Sequence, residues 1–407
     1  MRPQEIFSST RIDRESLPQS DLDVAERVRK NPLPWKGQFS PQLVEQLLAA
    51  YAPAGGVVLD PFAGSGTSLI ESARLGLAVR GFDLNPAAVI LSRVYGIANL
   101  GMAGRARALA ELSESLRGAI GAADDPLTKN RPPRPGGRKE LEANLIGWWR
   151  RAPPGAAQDL AAALIVLCDF HRETLDAEAA RRTWRRLEGI VLGLPRSVQS
   201  VVADRADARA LPVAARSVDL VLTSPPYINV HNYHQQYRRS VEAMGWDVLS
   251  GARSEIGSNR QNRANRFLTV IQYSLDMALA LREMARVAKK GARLILVLGR
   301  ESTVRGVRFF NSELVTEIAV RSVGLEIERR QERVFRNRYG NDICEDILHF
   351  RLTGKTAGKD AALGRARRIA EQSLASAEEN LPEDIREEIQ NALGQADAID
   401  PSPICVH

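Results

Sequence analysis

The stretch VVLDPFAGSGTSLIESARLGLAVRGFD, residues 57–83, decides the fold. It reads as a short buried strand, VVLD (57–60), a turn, a helix over SLIESARLGL ending near Gly76, and a second strand, AVRGFD (78–83). Gly64 and Gly66 remove Cβ atoms where a ligand must approach the backbone closely. The helix beyond them offers free N–H groups. The second strand ends in Asp83, an acid placed to take both hydroxyls of an adenosine ribose. A nicotinamide or flavin site carries a third glycine for close helix–strand packing, and Leu69 stands there instead. Asp60 would sit badly beside a pyrophosphate and well beside the cationic amino group of a methionine moiety. The loop Asp60, Pro61, Phe62, Ala63, Gly64, Ser65, Gly66, Thr67, with Asp83, is therefore expected to hold S-adenosylmethionine.

Outward from this stretch, apolar spacing predicts a helix from Pro41 to about Tyr51, and Pro86 opens another. The alternation of strand and helix is the start of a parallel α/β sheet. It breaks at residues 101–195, which are rich in Ala, Leu and Arg and read as a helical insertion interrupted by the basic stretch KNRPPRPGGRK (129–139). Strand patterns resume at 200–204, 218–224 and 293–299. Two more, 325–335 and 346–352, are joined by a short loop and can pair as a hairpin. About seven strands result. The division expected is an arm (1–35), a first part of the α/β domain (36–100), the insertion (101–195), a second part (196–353) and a helical acidic tail (354–407) ending in a loose PSPICVH.

The strand VDLVLTS stops at Ser224-Pro225-Pro226-Tyr227. Two prolines end the ladder and hold a rigid extended backbone without N–H groups of its own. Such a backbone turns carbonyl oxygens into the crevice beyond the strand ends, where α/β sheets bind ligands. The Ser224 hydroxyl and a proline carbonyl can accept hydrogen bonds from an exocyclic NH₂, and the Tyr227 ring offers a stacking face.

DPFAGSGT with FDLNP, followed by DLVLTSPPY, resembles the amino-methyltransferases of DNA, which form N4-methylcytosine or N6-methyladenine. The resemblance implies a Rossmann-like class I methyltransferase: a mostly parallel seven-stranded sheet with an antiparallel hairpin, here carrying a helical insertion. It makes Ser224, Pro225, Pro226 and Tyr227 the catalytic tetrad, in a form associated chiefly with cytosine N4. It places Phe39 and Ser40, in FSPQLVEQLL, at the methionine end of the cofactor, and Asp207, in ADARALP, at the adenine. The cofactor loop precedes the tetrad, whereas many such enzymes carry the two reversed. The implied partner is double-stranded DNA with its target base flipped out, and a paired restriction nuclease is a further candidate. The competing readings are an RNA methyltransferase acting on an amino group such as guanine N2 of transfer RNA, and a non-catalytic nucleic-acid-binding protein.

Composition agrees with an anionic partner. The formal net charge is +7, carried mostly by arginine, which forks onto phosphates and guanine edges. Residues 228–267 mix Arg, Asn and Gln with Tyr and His and are one candidate DNA contact. The insertion is the other, although Trp148 and Trp149 are expected to anchor its helices. Cys168, Cys344 and Cys405 are far apart and have no metal-ligand spacing, and His231 and His234 lack further ligands, so no metal is expected. Few cysteines, no signal-peptide pattern and no long apolar run point to a cytoplasmic protein without a membrane partner.

Overall fold

The computed structural model describes residues 5–26, 28–120, 137–228, 233–258, 262, 264–336, 340–377 and 381–405. Its strands are β1 (Val57–Asp60), β2 (Ala78–Asp83), β3 (Val201–Arg205), β4 (Val218–Thr223), β5 (Ala288–Gly299), β6 (Glu301–Val304), β7 (Val307–Phe310), β8 (Glu326–Arg336) and β9 (Asp342–Arg351). Seven of them form one sheet in the order β3-β2-β1-β4-β5-β9-β8. The first five run parallel, and β9 lies antiparallel to both β5 and β8. This is a Rossmann-like α/β fold, with the expected antiparallel hairpin at one edge.

Burial explains the order. Leu294–Leu298 of β5 are buried without alternation, as a central strand covered on both faces requires. The helix Leu268–Val287 is almost wholly buried and covers one face. The helices Thr67–Arg74 and Pro86–Arg93 belong to the β-α-β alternation read from the sequence. A second small sheet, β6 with β7, was not legible beforehand. Its two strands have four residues each and turn through Arg305 and Gly306, both at positive φ. That is a two-residue hairpin turn with Arg in a place usually given to Asn or Asp.

The insertion folds as the helices Met102–Ile120, Gly137–Arg151, Ala156–Cys168 and Ala177–Leu192. Most of the basic stretch 129–139 lies outside the described residues. Trp148 is buried, meets Trp184 edge-on at 6.0 Å and donates its indole N–H to Ser115 Oγ at 2.8 Å. Trp149 is half-buried. The pair thus fastens helices together, with Trp148 carrying the contact.

The arm is laid along the sheet edge. Ile12 bridges to Arg330 in parallel, the Asp13 N–H donates to the Arg330 carbonyl at 2.7 Å, and Val334 N–H donates to Asp23 at 2.7 Å. An otherwise open edge strand, β8, is covered in this way. At the other end, the helices Lys359–Ser376 and Glu383–Gly394 pack apolar faces onto the core. The ending expected to be loose is anchored instead: Ser402 is buried and bonded to Asp276 and Arg209. Among the described residues, no helix is long and apolar enough to cross a membrane.

Trp148→Ala should lower unfolding stability by about 3–5 kcal/mol, the cost of emptying a buried aromatic site. Trp149→Ala should cost under about 2 kcal/mol. Urea denaturation of the two variants tests this; equal losses would contradict the assignment of the contact to Trp148.

Candidate cofactor cleft and catalytic strand end

The turn after β1 is shaped by protein packing. Gly64 and Gly66 have φ of 52° and 90°, where a side chain is strained. A Cβ on Gly64 would lie 3.1 Å from the Trp35 ring, and one on Gly66 only 2.8 Å from Tyr95 and 2.9 Å from Ser92. Both glycines were expected to make room for a ligand. Gly64 lines the cleft, Gly66 does not, and in both the missing Cβ admits neighbouring side chains. Leu69, which replaced the third glycine, fits because β2 supplies Gly81: a Cβ there would come within 2.5 Å of Leu69.

The cleft lies at the carboxyl ends of β1, β2 and β4 and is open to solvent, with about 920 Å³ of space when the part open to solvent is counted. Of the residues read from the sequence, Phe39, Asp60, Pro61, Phe62, Ala63, Gly64, Ser65, Thr67, Asp83, Asp207, Ser224 and Pro226 line it. Ser40 does not; it precedes the helix Pro41–Tyr51, and its carbonyl accepts the Val44 N–H. Pro225 and Tyr227 also lie outside the lining.

Asp60 joins the two motifs. One carboxylate oxygen accepts the Phe62 N–H at 3.1 Å and the Thr223 hydroxyl at 2.6 Å; the other accepts the Ser68 hydroxyl at 2.5 Å. Thr223 directly precedes the tetrad, so the cofactor loop and the strand end are bonded to each other. Asp83 accepts N–H groups of Gly64 at 2.9 Å and Asn85 at 2.8 Å. Burial pushes both Asp60 and Asp83 up to about 6. Asp207 is more committed than its expected adenine contact suggests. Its four lone-pair directions accept Arg209 N–H, Arg209 Nε, Arg209 Nη2 and the Cys405 N–H.

At the strand end, the Tyr227 ring rests on Gly299, where a Cβ would come within 2.8 Å of it. Burial raises the Tyr227 pKa well above the ordinary phenol value, so the hydroxyl stays protonated. Tyr273, on the long buried helix, donates its hydroxyl to the Pro226 carbonyl at 3.1 Å. That leaves the Pro225 carbonyl as the one not claimed by Tyr273.

Several lining residues went unread: Trp35, Gln38, Asn85, Tyr233 and Glu255. Gln38 accepts the Ser65 hydroxyl at 3.2 Å, and Trp35 stacks on Tyr237 with ring centroids 6.4 Å apart. Glu255 accepts the His234 N–H at 2.6 Å and bonds its ring at 2.7 Å. His234 is thus paired with a carboxylate; His231 lies outside the described residues. Only the FSPQ motif, next to Trp35 and Gln38, hinted at the first pair. Nothing in the local pattern marks Glu255.

The lining's charge is one-sided. Among the described residues it holds the carboxylates Asp60, Asp83, Asp207 and Glu255 and no Arg or Lys. A pyrophosphate beside the turn would meet the Asp60 carboxylate with no Arg or Lys in the lining to offset it. A cationic sulfonium donor with a ribose diol would meet acceptors, and the residue set fits S-adenosylmethionine. Residues 9–93 match the family model described as DNA methylase, of the N6/N4 type. That span carries Phe39, the glycine loop and Asp83, and stops short of the tetrad. The chain is 39% identical over 61 residues to the Type II methyltransferase M.MjaII of Methanocaldococcus jannaschii, a match covering 15% of this chain and 12% of that protein's length. Among solved structures it is similar to a SAM-dependent methyltransferase from Methanosarcina mazei, at 14% identity and TM-score 0.34, over 76% of this chain and 98% of that one. It is also similar to an rRNA methyltransferase from Streptomyces viridochromogenes, at 16% identity and TM-score 0.32, over 87% and 99%.

Affinity for S-adenosylmethionine should depend on pH with a definite sign. Above about pH 6, Asp60 and Asp83 are carboxylates, able to hold a cationic amino group and a ribose diol respectively; below it they are neutral. Calorimetric titrations between about pH 5 and pH 8 should show a plateau at the alkaline end and weakening toward ten-fold per unit for each acid below about pH 6. Affinity that is flat or rises on acidification would contradict the assignment.

Proposed function

We propose that this chain is an S-adenosylmethionine-dependent DNA methyltransferase that modifies the exocyclic amino group of a flipped base, with cytosine N4 the favoured target. One observation carries the reading. A carboxylate-lined cleft without Arg or Lys among its described residues opens onto Ser224 and Pro226, and Asp60 bonds the two halves together. The match to DNA methylases over residues 9–93 supports DNA as the substrate. The resemblance of the Ser-Pro-Pro-Tyr form to that of cytosine N4 enzymes supports cytosine.

A cytosine amino nitrogen is a poor nucleophile because its lone pair is delocalised into the ring. The chain's task is to hold the N–H hydrogens so that the lone pair turns out of that plane. Ser224 Oγ and the Pro225 carbonyl accept those hydrogens, while Tyr273 fixes the neighbouring Pro226 carbonyl and thereby the backbone. The Tyr227 ring, seated on Gly299, lies at the strand end to support a stacked base. When bound, the cofactor supplies an electrophilic methyl group. Asp60 would attract the cationic end of the cofactor, and Asp83 would accept from the ribose hydroxyls. Catalysis of this kind rests on positioning and fixed electrostatics and needs no covalent enzyme intermediate.

Ser224→Ala and Tyr227→Ala should each lower methyl transfer to duplex DNA by at least about 100-fold while leaving cofactor affinity within about three-fold. Nucleoside mass spectrometry of DNA from cells making the protein should show N4-methylcytosine. Methyl incorporation into transfer RNA alone, or wild-type turnover in either variant, would overturn the reading.

A further inference from the structure

The segment that closes the described chain, Asp400–Cys405, returns to the cleft wall through one buried arginine. The Arg209 side chain is 0% exposed. It forks onto Asp207, with Nε at 2.9 Å from one oxygen and Nη2 at 2.6 Å from the other, and it reaches Asp276 with Nη1 at 2.5 Å. Its two remaining N–H hydrogens are shared among the backbone carbonyls of Ser402 at 2.8 Å, Pro403 at 2.9 Å and Ser254 at 3.2 Å and the Ser402 hydroxyl. Ser402 closes the knot. Its hydroxyl accepts from Arg209 at 2.6 Å and donates to Asp276 at 2.6 Å, and its N–H donates to Asp276 at 3.0 Å. The Cys405 N–H then donates to Asp207 at 3.2 Å.

Two walls of the cleft meet at this arginine. Ala206, Asp207 and Ala208 form one wall, and Ser254, Glu255 and Ile256 form another. No hydrogen bond between these two runs is needed to hold them, because Arg209 grips a carboxylate on the first and a carbonyl on the second. A buried guanidinium facing two buried carboxylates is stable only if its geometry is fully satisfied. Here the strap supplies part of that satisfaction, from two carbonyls and a hydroxyl. With the strap undocked, Arg209 would lose three acceptors and Asp276 two donors, and the clamp between the walls would loosen.

We propose that the strap Asp400–Cys405 is a working part of the cofactor site, in which Ser402 and Arg209 are positioning residues that set the spacing of the walls around the adenosine half of the cofactor. This inference rests on the reading of the cleft as an S-adenosylmethionine site. Strap docking and cofactor affinity are then linked, and linkage runs both ways. Cofactor binding stabilises the docked strap by the same factor by which the docked strap tightens cofactor binding.

The test uses the full chain and S-adenosylhomocysteine. Saturating ligand should slow amide hydrogen exchange in the peptide spanning residues 400–405 by roughly ten-fold, the scale of a hydrogen bond to a charged group. Ser402→Ala, which removes one hydroxyl, should weaken S-adenosylmethionine and S-adenosylhomocysteine by the same factor, roughly ten-fold, because the strap acts on the half they share. A chain ending at Asp400 should lose more, and a synthetic peptide of residues 399–407 should restore its affinity. If calorimetry shows tight binding by the full chain but exchange at 400–405 is unchanged by ligand, the strap inference fails and the cofactor reading stands. Full affinity in Ser402→Ala has the same consequence. If the full chain binds neither ligand, the cofactor reading falls and the inference falls with it.

Discussion

The Asp60 carboxylate is the constraint on which the site depends. β1 and β4 are neighbours in the sheet, so their carboxyl ends open on the same crevice. Adjacency alone would leave the turn after β1 and the prolines after β4 free to shift against each other. Asp60 removes that freedom by accepting the Thr223 hydroxyl, the Ser68 hydroxyl and the Phe62 N–H at once. Each partner removed would leave a buried group unsatisfied, at about 1–3 kcal/mol. The same burial raises the acid's pKa, so the residue that organises the site is also one whose charge is costly until a cation arrives.

Around that anchor, the structure arranges charge and shape separately. The carboxylate at the end of β1 disfavours a pyrophosphate beside the turn and suits a cationic donor, and that at the end of β2 suits a ribose diol. The packing of Trp35 on Gly64 and of Tyr95 and Ser92 on Gly66 sets the shape of the turn. The tetrad is braced from behind by Tyr273 and by the contact of Tyr227 with Gly299. None of these bracing groups needs to touch a reacting atom. They fix where Ser224 and the Pro225 carbonyl stand.

Much of this was legible wherever local chemistry decides structure. The boundaries of β1, β2 and the helix Pro41–Tyr51 follow directly from VVLD, AVRGFD and a helix opened by proline. β5 begins earlier than its apolar run suggests, because Lys289 and Lys290 extend it with exposed side chains. The β6–β7 hairpin was hidden by its short strands and its Arg-Gly turn. The site was read at its motifs and missed in its walls. Glu255, Tyr273 and the strap act through contacts between residues distant in sequence. Arg209, in ADARALP, looks like any surface charge until its two acids and the Ser402–Pro403 carbonyls are brought around it. At Gly64 and Gly66 the space left by the missing Cβ is bounded by Trp35, Tyr95 and Ser92, contacts that the local sequence does not reveal.

The central claim is that the cleft is built for a cationic methyl donor facing an amine-holding strand end, and a paired titration tests it most directly. Calorimetry of the full chain with S-adenosylmethionine and, separately, with a nicotinamide dinucleotide should give saturable one-to-one binding of the first and none of the second. Binding of the dinucleotide, or of neither compound, would contradict the account.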